Sequence, residues 1–144
     1  MFQLKISCDG STGHIKSLTQ ACRKLSRLLS NVERLDIEAR EVLSEWYRKP
    51  NTVQWLKWLE LFSLFGAVRM LELIGVLIPF AASALEQSSN MGYEAVLPFL
   101  QDLHMRCPDS SAPQMESFLA FRRRSGRDIS IHHTIANMEI QSFH

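Results

Sequence analysis

An apolar pattern that recurs along the chain constrains its fold more than any other feature. The pattern is φ-x-x-φ-x-x-L-x-φ, in which φ is an apolar residue. It occurs at Leu29, Val32, Leu35 and Ile37; at Phe65, Val68, Leu71 and Leu73; and, with Met at the last position, at Leu97, Leu100, Leu103 and Met105. Self-similarity at a period of about 20–50 residues is typical of architectures in which one structural unit is repeated. The sequence therefore predicts a repeat fold.

Five short segments alternate apolar and polar residues and predict five strands. In the first, Phe2, Leu4 and Ile6 alternate with polar residues, a two-residue period that is typical of a half-buried strand. The predicted strands cover residues 2–7, 32–38, 68–74, 100–105 and 128–133. Their central residues lie 31, 36, 32 and 26 positions apart, at Leu4, Leu35, Leu71, Leu103 and Ile129.

Segments with helical periodicity separate the predicted strands. Apolar residues spaced by three and four predict helices over 15–29, 51–65 and 113–124. Pro79 suits the first turn of a helix over 79–88, and Gly126 suits the end of the 113–124 helix. The 39–49 segment could add a short helix, 93–98 could add one turn, and 88–92 is expected to be a loop.

Alternating strands and helices predict parallel pairing, which leaves two candidate α/β architectures. A doubly wound sheet normally has strands that are apolar on both faces. The strands of this chain are half polar, as Arg34, Asp36 and Glu38 show in the second one. We therefore expect one α/β domain over residues 1–134: a short solenoid of about five parallel strands with helices on one face. Residues 135–144 would form a C-terminal tail.

Composition excludes several functional classes. The chain has 144 residues, of which 46% are hydrophobic and 22% charged, and its formal net charge is +1. That composition is typical of a globular domain, and the small net charge gives no reason to expect nucleic acid or a membrane as partner. The 13-residue apolar run at 73–85 is too short to span a bilayer. The three dispersed cysteines support neither a zinc site nor disulfides, so we expect a cytoplasmic or nuclear protein.

Several segments resemble, in the same order, the C-terminal leucine-rich-repeat-like region of F-box proteins of mushroom-forming fungi (basidiomycetes). They are QLKISC at 3–8, LTQAC at 18–22, LLSNVERLDI at 28–37, WLELF at 58–62, VLPFLQDL at 96–103 and FLAFRR at 118–123. The resemblance covers about residues 2–134 and does not include the F-box itself. Arg40, Val76 and Pro108 stand where regular leucine-rich repeats carry an asparagine ladder. The resemblance implies irregular repeats of the ribonuclease-inhibitor type and substrate recognition related to ubiquitin ligases.

No residue set in the sequence predicts catalysis, a cofactor or a metal. His104, His132 and His133 are the only histidines on predicted strands, and the adjacent His132 and His133 must point to opposite faces. The basic run 122–127 fits a helix end, where cations complement the helix dipole. Trp46, Trp55 and Trp58 could anchor a partner, although core packing is the simpler interpretation of at least one. We therefore expect a protein that is not an enzyme.

The exposed strand face is the predicted functional surface, because partners commonly bind the strand side of a solenoid. Its mixed charge favours a protein over a nucleic acid as the partner. The predicted contact residues are Arg34, Asp36, Glu38, Arg69, Glu72, Asp102, His104, Arg106, Ser130 and His132. Two alternatives stay open. One is a truncated repeat fragment that forms homo-oligomers through its open ends. The other is a small α/β enzyme, which no set of catalytic residues in the sequence supports.

Overall fold

The computed structural model describes residues 2–8, 15–39, 52–75, 78–90, 96–107 and 115–135. The strands are β1 (Phe2–Cys8), β2 (Val32–Ala39), β3 (Met70–Gly75), β4 (Asp102–Cys107) and β5 (Ser130–Ile135). The helices in these ranges are α1 (Ile15–Lys24), α2 (Ser26–Leu29), α3 (Thr52–Phe62), α4 (Ile78–Asn90) and α5 (Glu116–Arg124). None of these helices combines the length and the apolar character that a membrane span requires. The predicted helix at 39–49 lies outside the described residues except for Ala39, which ends β2.

All five strands form one parallel sheet in the order β1-β2-β3-β4-β5. The prediction of an α/β protein with five parallel strands is confirmed. Each strand pairs with its neighbours in chain order, so that β2, β3 and β4 each lie between two strands. The described helices lie between successive strands in sequence, as parallel pairing requires, because a parallel connection must return the chain to the same end of the sheet.

Aligned apolar residues on one side of the sheet build the core. Leu35, Leu71 and Leu103 are register partners on three adjacent strands, and each is fully buried. The helices contribute to the same buried cluster, for example through Phe62 on α3 and Leu85 on α4. Burying a side chain of this size stabilises a fold by about 1.5–3 kcal/mol. The recurring apolar pattern is therefore the row of residues that joins the strands to the helices.

Three strands begin two residues later than the sequence predicts, at Met70, Asp102 and Ser130. Val68 and Leu100, the predicted first strand residues, are buried although they precede β3 and β4. Their backbone N–H groups bond within turns, to Phe65 O and Leu97 O. Buried turn residues are apolar like buried strand residues, so the sequence pattern does not distinguish the two.

The predicted 15–29 helix is interrupted at Leu25, which separates α1 from α2. Leu25 has φ −108° and ψ 14°, outside the helical range, and its side chain is 52% exposed. The sequence places Leu25 in the apolar series of the 15–29 helix and Leu56 in that of the 51–65 helix, and neither side chain is buried. In α3, Trp58 is buried instead, against Phe62, with ring centroids 5.7 Å apart.

Helix α4 extends to Asn90, so the loop predicted at 88–92 is helical in its first three residues. The hydroxyls of Ser88 and Ser89 donate hydrogen bonds to Leu85 O and Glu86 O, one turn earlier. Serine hydroxyls compete with a helix when they bond elsewhere, but here they bond back to it. These two buried serines therefore do not end the helix.

Glu86 of α4 caps the start of α5. Its two carboxylate oxygens accept hydrogen bonds from the backbone N–H groups of Ser117 (2.9 Å) and Phe118 (3.0 Å). Met115, at the cap position of α5, makes no side-chain capping bond. A carboxylate from a neighbouring helix thus satisfies the free N–H groups that every helix start leaves, and its charge complements the helix dipole.

The basic run lies at the end of α5, as the sequence predicts, but its first residue, Arg122, is a buried anchor. Only 3% of Arg122 is exposed, and its Nη2 donates to Leu97 O (2.7 Å) and Leu100 O (3.1 Å). Burial lowers the pKa of Arg122, and the charge of Arg127 lowers it further. Leu97 has a positive φ of 48°, a strained conformation for leucine. Arg122 therefore fixes the strained turn that leads into β4.

Replacing Arg122 with Met should destabilise the fold by about 2–3 kcal/mol, because two buried carbonyls lose a charged donor. Urea unfolding followed by circular dichroism measures this change. Arg124→Met is the matched control on the same helix, since Arg124 is exposed. Equal stability losses in the two variants would contradict the anchoring role.

Candidate functional site: the polar face of the sheet

The strand residues that point away from the core form a continuous surface of three register rows, which we call the polar face. The residues of these rows are Gln3, Arg34, Met70, Asp102 and Ser130; Lys5, Asp36, Glu72, His104 and His132; and Ser7, Glu38, Ile74, Arg106 and Thr134. Alternation along each strand puts residues two apart on the same side, and parallel register aligns them across the sheet. Short sequence segments that lie far apart in the chain thereby form one surface.

A network of hydrogen bonds and ion pairs centred on Arg34 joins four strands across this face. Arg34 Nε donates to Asp36 Oδ1 (3.2 Å), and its Nη2 donates to Glu72 Oε2 (3.1 Å). On β1, Gln3 Nε2 donates to Asp36 Oδ2 (2.8 Å). On β4, Arg106 Nε lies 3.3 Å from Glu72 Oε1. The hydrogen bond to Asp36 is the main cause that raises the pKa of Arg34. The guanidinium therefore stays charged at any ordinary pH.

Asp36 belongs to the framework of this network. It is only 6% exposed, and both of its oxygens accept hydrogen bonds from Arg34 and Gln3. A buried carboxylate is stable only when it is paired and hydrogen-bonded. We predicted Asp36 as a contact residue, but its burial makes it a support for Arg34.

Three side chains of the polar face are more accessible to solvent than Asp36 at its centre. Lys5, Arg106 and His132 have half or more of their side chains exposed, at 56%, 50% and 50%. Lys5 Nζ is 3.4 Å from Glu38 Oε2, and surface pairs of this kind contribute little to stability. These side chains can therefore exchange their present contacts for contacts with another molecule.

Two histidines and an aspartate meet where β4 and β5 pair. The rings of His104 and His132 stack with centroids 4.3 Å apart, and His132 Nε2 lies 3.5 Å from Asp102 Oδ1. His133 pairs in register with Met105, so it points away from His132 as the sequence predicts. The sequence alone does not show that His104 and His132 pair across the two strands. The i, i+2 spacing of Asp102 and His104 was the signal that could have found this group.

Nine of the ten predicted contact residues lie on the polar face, and Arg69 does not. Arg69 precedes β3, is paired weakly with Glu33 at 3.9 Å, and leaves Met70 to occupy the position on the face. The reason is alternation along the strand: Met70 lies two positions before Glu72 and shares its side, whereas Arg69 lies three positions before it. Ile74 and Thr134 complete the outermost row and were not among the predicted contacts.

The polar face offers both signs of charge at close range. It carries three cations (Lys5, Arg34 and Arg106) and four carboxylates (Asp36, Glu38, Glu72 and Asp102). A surface that binds nucleic acid typically concentrates cations to neutralise phosphates. This balance fits a surface of mixed charge on a partner protein better than a polyanion.

Comparison of the chain with protein-family models, with curated proteins and with solved structures gives no match.

Replacing Arg34 with Met should destabilise the protein by about 1–3 kcal/mol, because the buried Asp36 loses its charged partner. Chemical unfolding with urea measures the change. Adding Asp36→Asn to Arg34→Met should restore part of the loss, since no unpaired buried charge then remains.

Arg69→Met is the matched control for this network, because Arg69 is 60% exposed and its ion pair is long. We expect it to change stability by less than about 0.5 kcal/mol. An Arg34→Met variant as stable as Arg69→Met would show that the network contributes nothing.

Proposed function

We propose that the chain is a short leucine-rich-repeat-like solenoid that binds a protein partner through its polar face. In this proposal the protein is not an enzyme, and it recognises a substrate in ubiquitin-linked turnover, as its resemblance to the repeat region of fungal F-box proteins implies. The mixed, half-exposed polar face is the observation on which the proposal depends.

The order of the strands supports the solenoid part of the proposal. A doubly wound sheet reverses its strand order at a switch point, where ligands usually bind. The order β1-β2-β3-β4-β5 runs in one direction without a reversal. In a solenoid each unit packs only on its neighbours in sequence, which gives this order.

The division of the polar face into a fixed centre and accessible edges supports partner binding. Arg34 and Asp36 hold the centre, so the surface keeps its shape when it is not occupied. A preorganised surface loses less conformational entropy on binding. Lys5 on β1 and Arg106 on β4 flank this centre with exposed charge and could steer and orient a partner.

Removing the exposed cations of the polar face should weaken partner binding by roughly tenfold or more. The test variant is Lys5→Gln combined with Arg106→Gln. Partners cross-linked to the wild-type chain in a lysate of the source cell are identified by mass spectrometry, and binding of a purified partner is then measured by calorimetry.

The matched control is Lys24→Gln combined with Arg27→Gln, which removes one lysine and one arginine from exposed positions on α1 and α2. We expect this variant to bind like the wild type. A purified partner that binds both double variants equally would rule out recognition through the polar face.

Self-association is a second candidate function, supported by exposed apolar residues in the elements nearest one end of the sheet. Phe2 on β1 and Leu28 on α2 are each 68% exposed, and Leu25 between α1 and α2 is 52% exposed. Within the described ranges, β1 pairs only with β2. A sheet edge with apolar neighbours is a template for another chain.

If the chain self-associates through this end, light scattering should show a mass that rises with concentration. Phe2→Ser combined with Leu28→Ser should restore the monomer, because it removes both apolar contacts. Leu56→Ser on α3 is the control, since Leu56 is also exposed, at 46%, but belongs to another element. A wild-type chain that is monomeric at every concentration excludes this candidate.

A further inference from the structure

Asp102, His104 and His132 place three potential metal ligands together at one end of the polar face. One oxygen or nitrogen from each side chain lies within 4.8 Å of the corresponding atoms of the other two. Two features of the sheet produce this group. Asp102 and His104 are two positions apart on β4, and His132 is the register partner of His104 on β5.

The donor set is typical of a first-row transition ion. Imidazole nitrogen and carboxylate oxygen bind Zn²⁺ at about 2.0–2.2 Å, and two histidines with one carboxylate are a recurrent set of protein ligands. Ligand atoms at that distance in a tetrahedral site lie about 3.4 Å apart. The three side chains would therefore close in by about 1.4 Å at most, which rotation of partly exposed side chains allows.

Asp102 differs from the other carboxylates of the polar face in its partners. Glu72 is held by Arg34 and Arg106, Asp36 by Arg34, and Glu38 by Lys5. Among the described residues, Asp102 has no lysine or arginine partner and lies 3.5 Å from a histidine. Its carboxylate is therefore available to an added cation, while the charges of its neighbours are already compensated.

We propose that Asp102, His104 and His132 bind a zinc-class divalent ion. Three protein ligands leave at least one coordination position open, for water or for a side chain of a bound molecule. Binding of the ion does not depend on the proposed protein partner, since all three ligands belong to this chain. The hard ions Mg²⁺ and Ca²⁺ should not bind, because they prefer oxygen ligands.

Calorimetric titration of the untagged, chelator-treated full chain with Zn²⁺ tests the proposal. We expect one equivalent of Zn²⁺ to bind, and Co²⁺ at the same site should give visible absorption bands. Loss of an outer-sphere partner weakens metal binding by roughly 10–100-fold. His104→Gln, His132→Gln and Asp102→Asn each remove a direct ligand, so each should weaken Zn²⁺ binding by more than that. Zn²⁺ should also raise the melting temperature of the wild type, and His132→Gln should remove this rise.

His133→Gln is the matched control, because His133 is the adjacent histidine on the same strand and points to the opposite side of the sheet. It should bind Zn²⁺ like the wild type. Melting curves without metal establish that every variant is folded. The proposal is overturned if the wild type binds no Zn²⁺, if the folded His104→Gln and His132→Gln variants bind it unchanged, or if His133→Gln weakens binding as much as they do.

Discussion

One-sided burial of a parallel sheet is the constraint on which the rest of this structure depends. Leu35, Leu71 and Leu103 lie in one register row under the helices, so their strand neighbours must point to the other side. A shift of one residue in any strand would expose its apolar side chains and bury its charges. The same apolar residues therefore fix the register of the core and the arrangement of the polar face.

The polar face combines two kinds of electrostatic organisation. At its centre, Arg34 connects the buried Asp36 to Glu72, and these charges compensate one another. Toward β5, His104 and His132 are stacked beside a carboxylate that no described lysine or arginine neutralises. The charges at the centre have partners of opposite sign, whereas the carboxylate at the end with His104 and His132 has none among the described lysines and arginines. The proposed ion would therefore bind within the surface that is proposed for the partner, at its β4–β5 end.

Much of the candidate site follows from strand alternation alone. The i, i+2 rule places Asp102, His104 and Arg106 on one side of β4 without knowledge of any other strand. The same rule excludes Arg69 from this side of β3, because it lies three positions before Glu72, whereas Met70 lies two positions before it. The contact between His104 and His132 could not be predicted from either strand by itself. It depends on the register between two strands whose paired histidines are 28 positions apart.

The sequence by itself determined the five strands, their parallel direction and the side of each strand that faces the core. Alternation within each segment encodes the strands and their buried side, because it acts over a few residues. The order in which strands and helices follow one another encodes the parallel direction. Tertiary structure alone decided which charges are supports and which are accessible. Arg122 is a basic residue in a basic run, yet its guanidinium is buried against Leu97 O and Leu100 O. Only the packed chain brings those carbonyls within reach of a charge that would otherwise remain in water.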